Sequence, residues 1–147
     1  MCIRDSTYRQ LGEKSCGFID SLDFMVDRQT VKWSLLQDTI DICKIILNTP
    51  LQPGDSITIS TPFRVQIPDA SISRLGHTGQ AYFITQWYPK PAVFDKNGWN
   101  YFSYLDKGEY YAGFGSFDCR LYLPQNLVVG SKGGMEKKPC EKRRPKK

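Results

Sequence analysis

The chain has 147 residues, 40% of them apolar, and a formal net charge of +5. That length holds one domain with a modest core, and no run approaches the ~18 consecutive apolar residues that a membrane-spanning helix needs. The charge invites a nucleic-acid or membrane-surface reading, but its placement argues against both. Residues 132–147 hold eight Lys or Arg against Glu136 and Glu141, and the rest of the chain is one unit negative.

Met1 to Ser6 reads as adapter-derived sequence and is set aside, and no basic-then-apolar leader is visible at the N-terminus. Residues 7–16 are polar and unpatterned. Phe18 to Val26 and Thr30 to Leu35 are β-prone runs around Asp27, Arg28 and Gln29, the pattern of a hairpin. Thr39 to Leu47 (TIDICKIIL) is apolar on both faces, which predicts a central strand. Pro53 and Gly54 then predict a type II turn.

Ser56 to Ile67 carries the cleanest alternation: Ile57, Ile59, Phe63, Val65 and Ile67 face one way and Thr58, Ser60, Arg64 and Gln66 the other. Pro62 inside it places the strand at an edge or a bulge. Arg74 to Gly79 is expected as a flexible loop and Ala81 to Tyr88 as a further strand, ended by Pro89 and Pro91, which lack the donor a ladder needs. Asp95 to Gly98 and Asp106 to Gly108 predict tight turns, and Asp118 to Leu123 a last alternating strand. No segment has a helical period. The expected fold is all-β, sandwich-like or an open curved antiparallel or mixed sheet. Residues 7–130 form an incomplete domain in this reading, and residues 131–147 a disordered or out-of-frame basic tail.

Cys2, Cys16, Cys43, Cys119 and Cys140 match no zinc spacing and no evident disulfide framework, so buried free thiols are expected at the three central positions. Thirteen of the nineteen aromatics fall between Tyr82 and Phe117. A nucleic-acid stacking surface would interleave them with cations, yet the window offers only Lys90, Lys96 and Lys107 beside three acids. Core and inter-domain packing is the default use of such aromatics, and a carbohydrate platform through Trp87 and Trp99 stays open. His77 is the only histidine and is expected on a solvent-facing loop, too isolated for a metal site or a triad. Asp95, Asp106, Glu109 and Asp118 are the acid–base candidates; turn chemistry accounts for Asp95 and Asp106, and sequence names no partner for Glu109.

One run is more particular than these. QWYPKPAVFD at 86–95, with NGW at 97–99 and GEYY at 108–111, resembles the closing part of the N-terminal β-domain of the aminopeptidase N family of zinc metallopeptidases, bacterial branch. NTPLQPGD at 48–55, FRVQIP at 63–68, SRLG at 73–76, FGSFD at 114–118 and LPQNLVVG at 123–130 are similar to further family segments in the same order. The resemblance implies a non-catalytic domain that caps the active-site cleft of a catalytic domain acting on peptide substrates. This chain, with His77 as its single histidine, contains no HExxH; the resemblance also implies that zinc and the HExxH helix belong to that second domain. It implies an exported or periplasmic parent protein, inactivity of this portion by itself, and Gln86 as an acceptor for the substrate's free amine. The competing expectation is a standalone β-sandwich module that binds carbohydrate or protein.

Overall fold

A computed structural model describes residues 16–37, 39, 41–71, 74–103, 111–124 and 126–136. Expectations placed on residues 1–15, on the Asp106 to Gly108 turn, on Glu109 and on the tail beyond 136 lie outside these. The chain divides into two units, one ending at Gly113 and one beginning at Phe114.

The first unit is all-β. Its described residues contain eleven short strands: β1 (Phe18–Asp20), β2 (Met25–Val26), β3 (Gln29–Thr30), β4 (Lys32–Leu35), β5 (Cys43–Ile46), β6 (Ile59–Ser60), β7 (Arg64–Gln66), β8 (Gly76–Thr78), β9 (Ala81–Phe83), β10 (Val93–Asp95) and β11 (Gly98–Asn100). They pair antiparallel in five small sheets, β1-β7, β3-β2-β6, β4-β5, β8-β9 and β10-β11. A single parallel bridge joins Asp69 to His77. The all-β expectation therefore stands, realised as five small sheets.

Local chemistry explains where the elements begin and stop. The β2–β3 hairpin turns on Asp27 and Arg28, both at positive φ (48° and 68°), the geometry that matches a two-residue turn to strand twist. Asp27 adds a second tie, since its Oδ1 accepts from Thr58 N and its own N–H donates to Thr58 O, each at 2.9 Å. The Gln52 to Asp55 turn forms as expected: Asp55 N donates to Gln52 O at 3.0 Å and Gly54 takes φ 90°, a value that glycine adopts without a Cβ clash.

The long alternation from Ser56 to Ile67 becomes two strands with different partners. β6 lies against β2 and β7 against β1, and Thr61 to Phe63 between them joins no sheet. Pro62 has no N–H to offer a ladder, and Thr61 Oγ1 is engaged by Asp23 N at 2.9 Å. On the β1–β7 pair, Asp20 and Arg64 stand opposite each other and form a two-pronged ion pair at 3.2 and 2.9 Å. Arg64 also covers the Phe18 ring at 5.3 Å.

Several expectations are corrected. Thr39 to Leu47 is not a central strand: among the described residues Cys43–Ile46 forms the strand and pairs with β4, and Thr39 Oγ1 instead donates to Leu36 O at 3.0 Å. Arg74 to Gly79 is not a loop, because Gly76–Thr78 is β8, and it carries a half-buried His77. An added Cβ at Gly76 would overlap the Ala70 backbone, so this approach requires glycine. The strand expected over Ala81 to Tyr88 ends at Phe83, ahead of Gln86, whose φ is 50°. The three central thiols are not all buried and free: Cys16 is buried but disulfide-bonded, while Cys43 and Cys119 are free, the first half-buried and the second exposed.

The apolar core is small. Among the described residues the buried hydrophobic side chains are Cys16, Phe24 and Val31. Phe24 meets Trp33 edge-on at 5.4 Å, so the centre lies where the β2–β3 hairpin turns into β4. Burying Phe24 and Val31 contributes roughly 1.5–3 kcal/mol each.

In the second unit no strand occurs among the described residues, so Asp118 to Leu123 is not the strand that its alternation predicts. Phe114, Phe117, Tyr122 and Val128 are all more than two-thirds exposed. Its described residues include a turn closed by Leu127 N to Pro124 O at 3.1 Å and a long, exposed Arg120–Asp118 contact at 3.9 Å.

Candidate functional site around Gln86

The QWYPKPAVFD run leaves the β8–β9 ladder and reaches β10 through a segment outside the named strands. Three features force that course: the positive φ at Gln86 and the two prolines that cannot donate to a ladder. A left-handed backbone at a residue with a Cβ costs about 1–3 kcal/mol and persists only where surroundings hold it. Two of the other positive-φ residues with a side chain, Asp27 and Arg28, are explained by their hairpin. Gln86 has no such turn, and its strain coincides with the wall of a cavity.

That cavity has a volume of about 250 Å³. Ile19 of β1 and Ile42 form part of its apolar lining, Tyr88, Pro89 and Pro91 continue it, and Phe102 with Tyr111 closes the aromatic side. Polar groups reach it from Gln86, Lys90, Asn100 and Asp41; the Oδ1 atom of Asp41 is sequestered from solvent. Cys43 lines it too, with burial pushing its thiol up from the usual range. Gln86 itself remains exposed, and its Oε1 accepts from Lys90 Nζ at 3.3 Å. Lys90 Nζ lies 5.6 Å from the centre of the Tyr88 ring. An apolar pocket with a few converging polar groups suits a small amphipathic ligand.

The other sequence candidates do not converge here. Trp87 packs against Phe63 at 5.9 Å and Tyr88 at 5.6 Å, a structural use. Trp99 stands across the β10–β11 pair from Phe94, edge-on at 5.1 Å, and is 63% exposed. His77 lies against Tyr82 at 5.8 Å and exchanges backbone bonds with Pro68 and Ala70. Asp69 beside it is held below the usual carboxylate range, chiefly by the Ser71 hydroxyl and backbone, with a smaller contribution from His77. Asp95 Oδ1 accepts from Asn97 N at 2.8 Å, which fixes the turn, and Asp118 is exposed in the second unit.

Among the described residues no group of three His, Cys, Asp or Glu could hold a metal ion. They do not fit a zinc centre, and no chemical step through one is derived for them. Tyr88 and Lys90 belong to the same run as Gln86, but that their side chains and Asp41 line one cavity with it depends on a bend that period counting does not see. No family model, curated protein or solved structure matches this chain.

Proposed function

We propose that this chain is a non-catalytic N-terminal β-domain of an aminopeptidase N-like zinc peptidase, covering the cleft of a catalytic domain and offering Gln86 to the substrate's free amine. The observation that carries the reading is the mismatch between apolar content and core. Three hydrophobic side chains are buried among the described residues, while Tyr82, Phe83, Ile84, Phe94, Trp99 and Tyr101 are each more than half exposed. Apolar area of that kind marks a surface made to be covered, and a catalytic neighbour is the cover this reading supplies.

The strained Gln86 beside a cavity supports its part in the site. An amide oxygen accepts hydrogen bonds from an ammonium, and Gln86 Oε1 accepts one from Lys90 at 3.3 Å, which supports that part. Zinc, the attacking water and the peptide bond belong to the catalytic domain in this reading, and the parent protein is an exported or periplasmic one. The chain alone is expected to leave an aminoacyl nitroanilide intact with or without added zinc; hydrolysis by the purified chain would overturn the reading. Sequencing the source DNA past the Val129 codon is the direct test. An in-frame HExxH with a downstream Glu supports the proposal, and a native stop codon after Lys147 ends it.

A second reading, a carbohydrate-binding module, is favoured by the exposed ring of Trp99. Trp87 is engaged in packing, so that reading now rests on Trp99 alone. Saccharide binding in calorimetry that disappears with Trp99→Ala would establish it.

A further inference from the structure

We infer that the Lys90 ammonium is a resident occupant of an amine seat made by Gln86 and Tyr88, so that an incoming primary amine must displace it. The inference rests on the reading of Gln86 as an amine acceptor and adds to it a second receptor group and an internal competitor.

The geometry is that of a small cation held by two complementary surfaces. Lys90 Nζ donates to Gln86 Oε1 at 3.3 Å and lies 5.6 Å from the Tyr88 ring centre. An amide oxygen and an aromatic face are both attractive to an ammonium. These contacts depend on the bend. In an extended strand, residues four apart are about 13 Å from each other along the chain. The positive φ at Gln86 breaks that extension and lets the side chains of positions 86 and 90 meet.

The seat opens on the apolar cavity, whose walls include Ile19, Ile42, Pro89 and Phe102. The ligand class that combines both features is a primary amine carrying an alkyl or aryl group. Lys90 cannot diffuse away, so it competes at the millimolar effective concentration of a short tether. A foreign amine then binds with its affinity reduced by the fraction of time that the seat is empty. If Lys90 fills the seat nine-tenths of the time, removing its charge tightens binding about 10-fold.

The test is a titration of the full chain with benzylamine at neutral pH, followed by NMR on the Gln86 side-chain amide and the Tyr88 ring protons. Lys90→Met keeps the stem and removes the ammonium, and is expected to bind about 10-fold more tightly than the wild type. Lys90→Arg keeps a cation and is expected to stay weak, which holds the test open if Lys90→Met misfolds. Equal affinities for the wild type and Lys90→Met would overturn the inference, as would tight binding by Lys90→Arg. Adding Gln86→Leu to Lys90→Met is expected to abolish the gain. If that gain survives, Gln86 is not the acceptor and the underlying reading falls instead. Absence of any benzylamine shift in all variants would overturn both.

Discussion

Two stretches of this chain carry the same period-two alternation and end differently. Ser56 to Ile67 becomes β6 and β7, each paired with a strand some thirty to fifty residues earlier in the chain. Asp118 to Leu123 joins no sheet, with Leu121, Tyr122 and Leu123 exposed. The difference does not lie in β propensity, since the second stretch has Leu and Tyr at suitable positions and the first contains a proline. What the first has is ladder partners in β1 and β2 with fixed register. It also has anchoring contacts: the Asp20–Arg64 pair on one side, and the Asp27 and Thr61 bonds on the other. Alternation makes a segment able to be a strand, and a neighbour's free edge makes it one.

The sharpest way to break this comparison is to remove the small core that orders the first unit. Phe24→Ala should destabilise it by about 3–5 kcal/mol, enough to abolish a cooperative urea transition in so lightly packed a unit. Phe117→Ala, at an exposed ring, should stay within about 0.5 kcal/mol. Equal effects of the two would show that the units do not differ in packing. Gly76→Ala comes next. Its new methyl meets the Ala70 backbone, and overpacking of this kind costs about 1–3 kcal/mol, read as a lower urea midpoint with an unchanged slope.

Thiol chemistry sharpens the contrast without changing the sequence. Cys119 is exposed, whereas Cys43 is half-buried with its thiol pushed above 9.0 by burial. At pH 8 burial disfavours the Cys43 thiolate and hinders reagent from reaching it, whereas Cys119 is open to solvent, so timed alkylation read by mass spectrometry should modify Cys119 first. Simultaneous modification without denaturant would mean that the β4–β5 pair opens as freely as the second unit.

The smallest expected effect is on acid stability. Asp20 is held below 3.8, first by the Ser21 hydroxyl and then by Arg64. A depressed carboxylate stabilises the fold above its unfolded value, and that contribution is lost as pH falls through the lowered one. The pair is exposed, so the gain is slight. Asp20→Asn should lower the urea midpoint a little at pH 6, and the two proteins should converge below pH 3.8; a constant gap across that range would remove the charge from the explanation.

Much of the local structure was legible in the sequence because it is local. The Asp27–Arg28 hairpin, the Pro53–Gly54 turn, the Asp95 turn and the break at Pro62 all follow from backbone constraints that a few residues impose on themselves. The all-β class followed from alternation without any helical period. Gln86 was legible as a residue in a particular motif, but the strain under it and the groups around it were not.

Pairing and burial belong to the tertiary structure. Thr39 to Leu47 reads as a central strand because it is apolar on both faces, yet a central strand requires two neighbours and, among the described residues, β5 pairs with β4 alone. His77 reads as a loop residue between flanking glycines, while the contact of Gly76 with Ala70 turns that same glycine into a strand position. Gln86 and Lys90 meet because the positive φ at Gln86 breaks the extended course of the chain ahead of Pro89 and Pro91. In each case the deciding energy comes from residues distant in sequence or from a bend in the backbone, and neither is encoded in the composition or period of the segment itself.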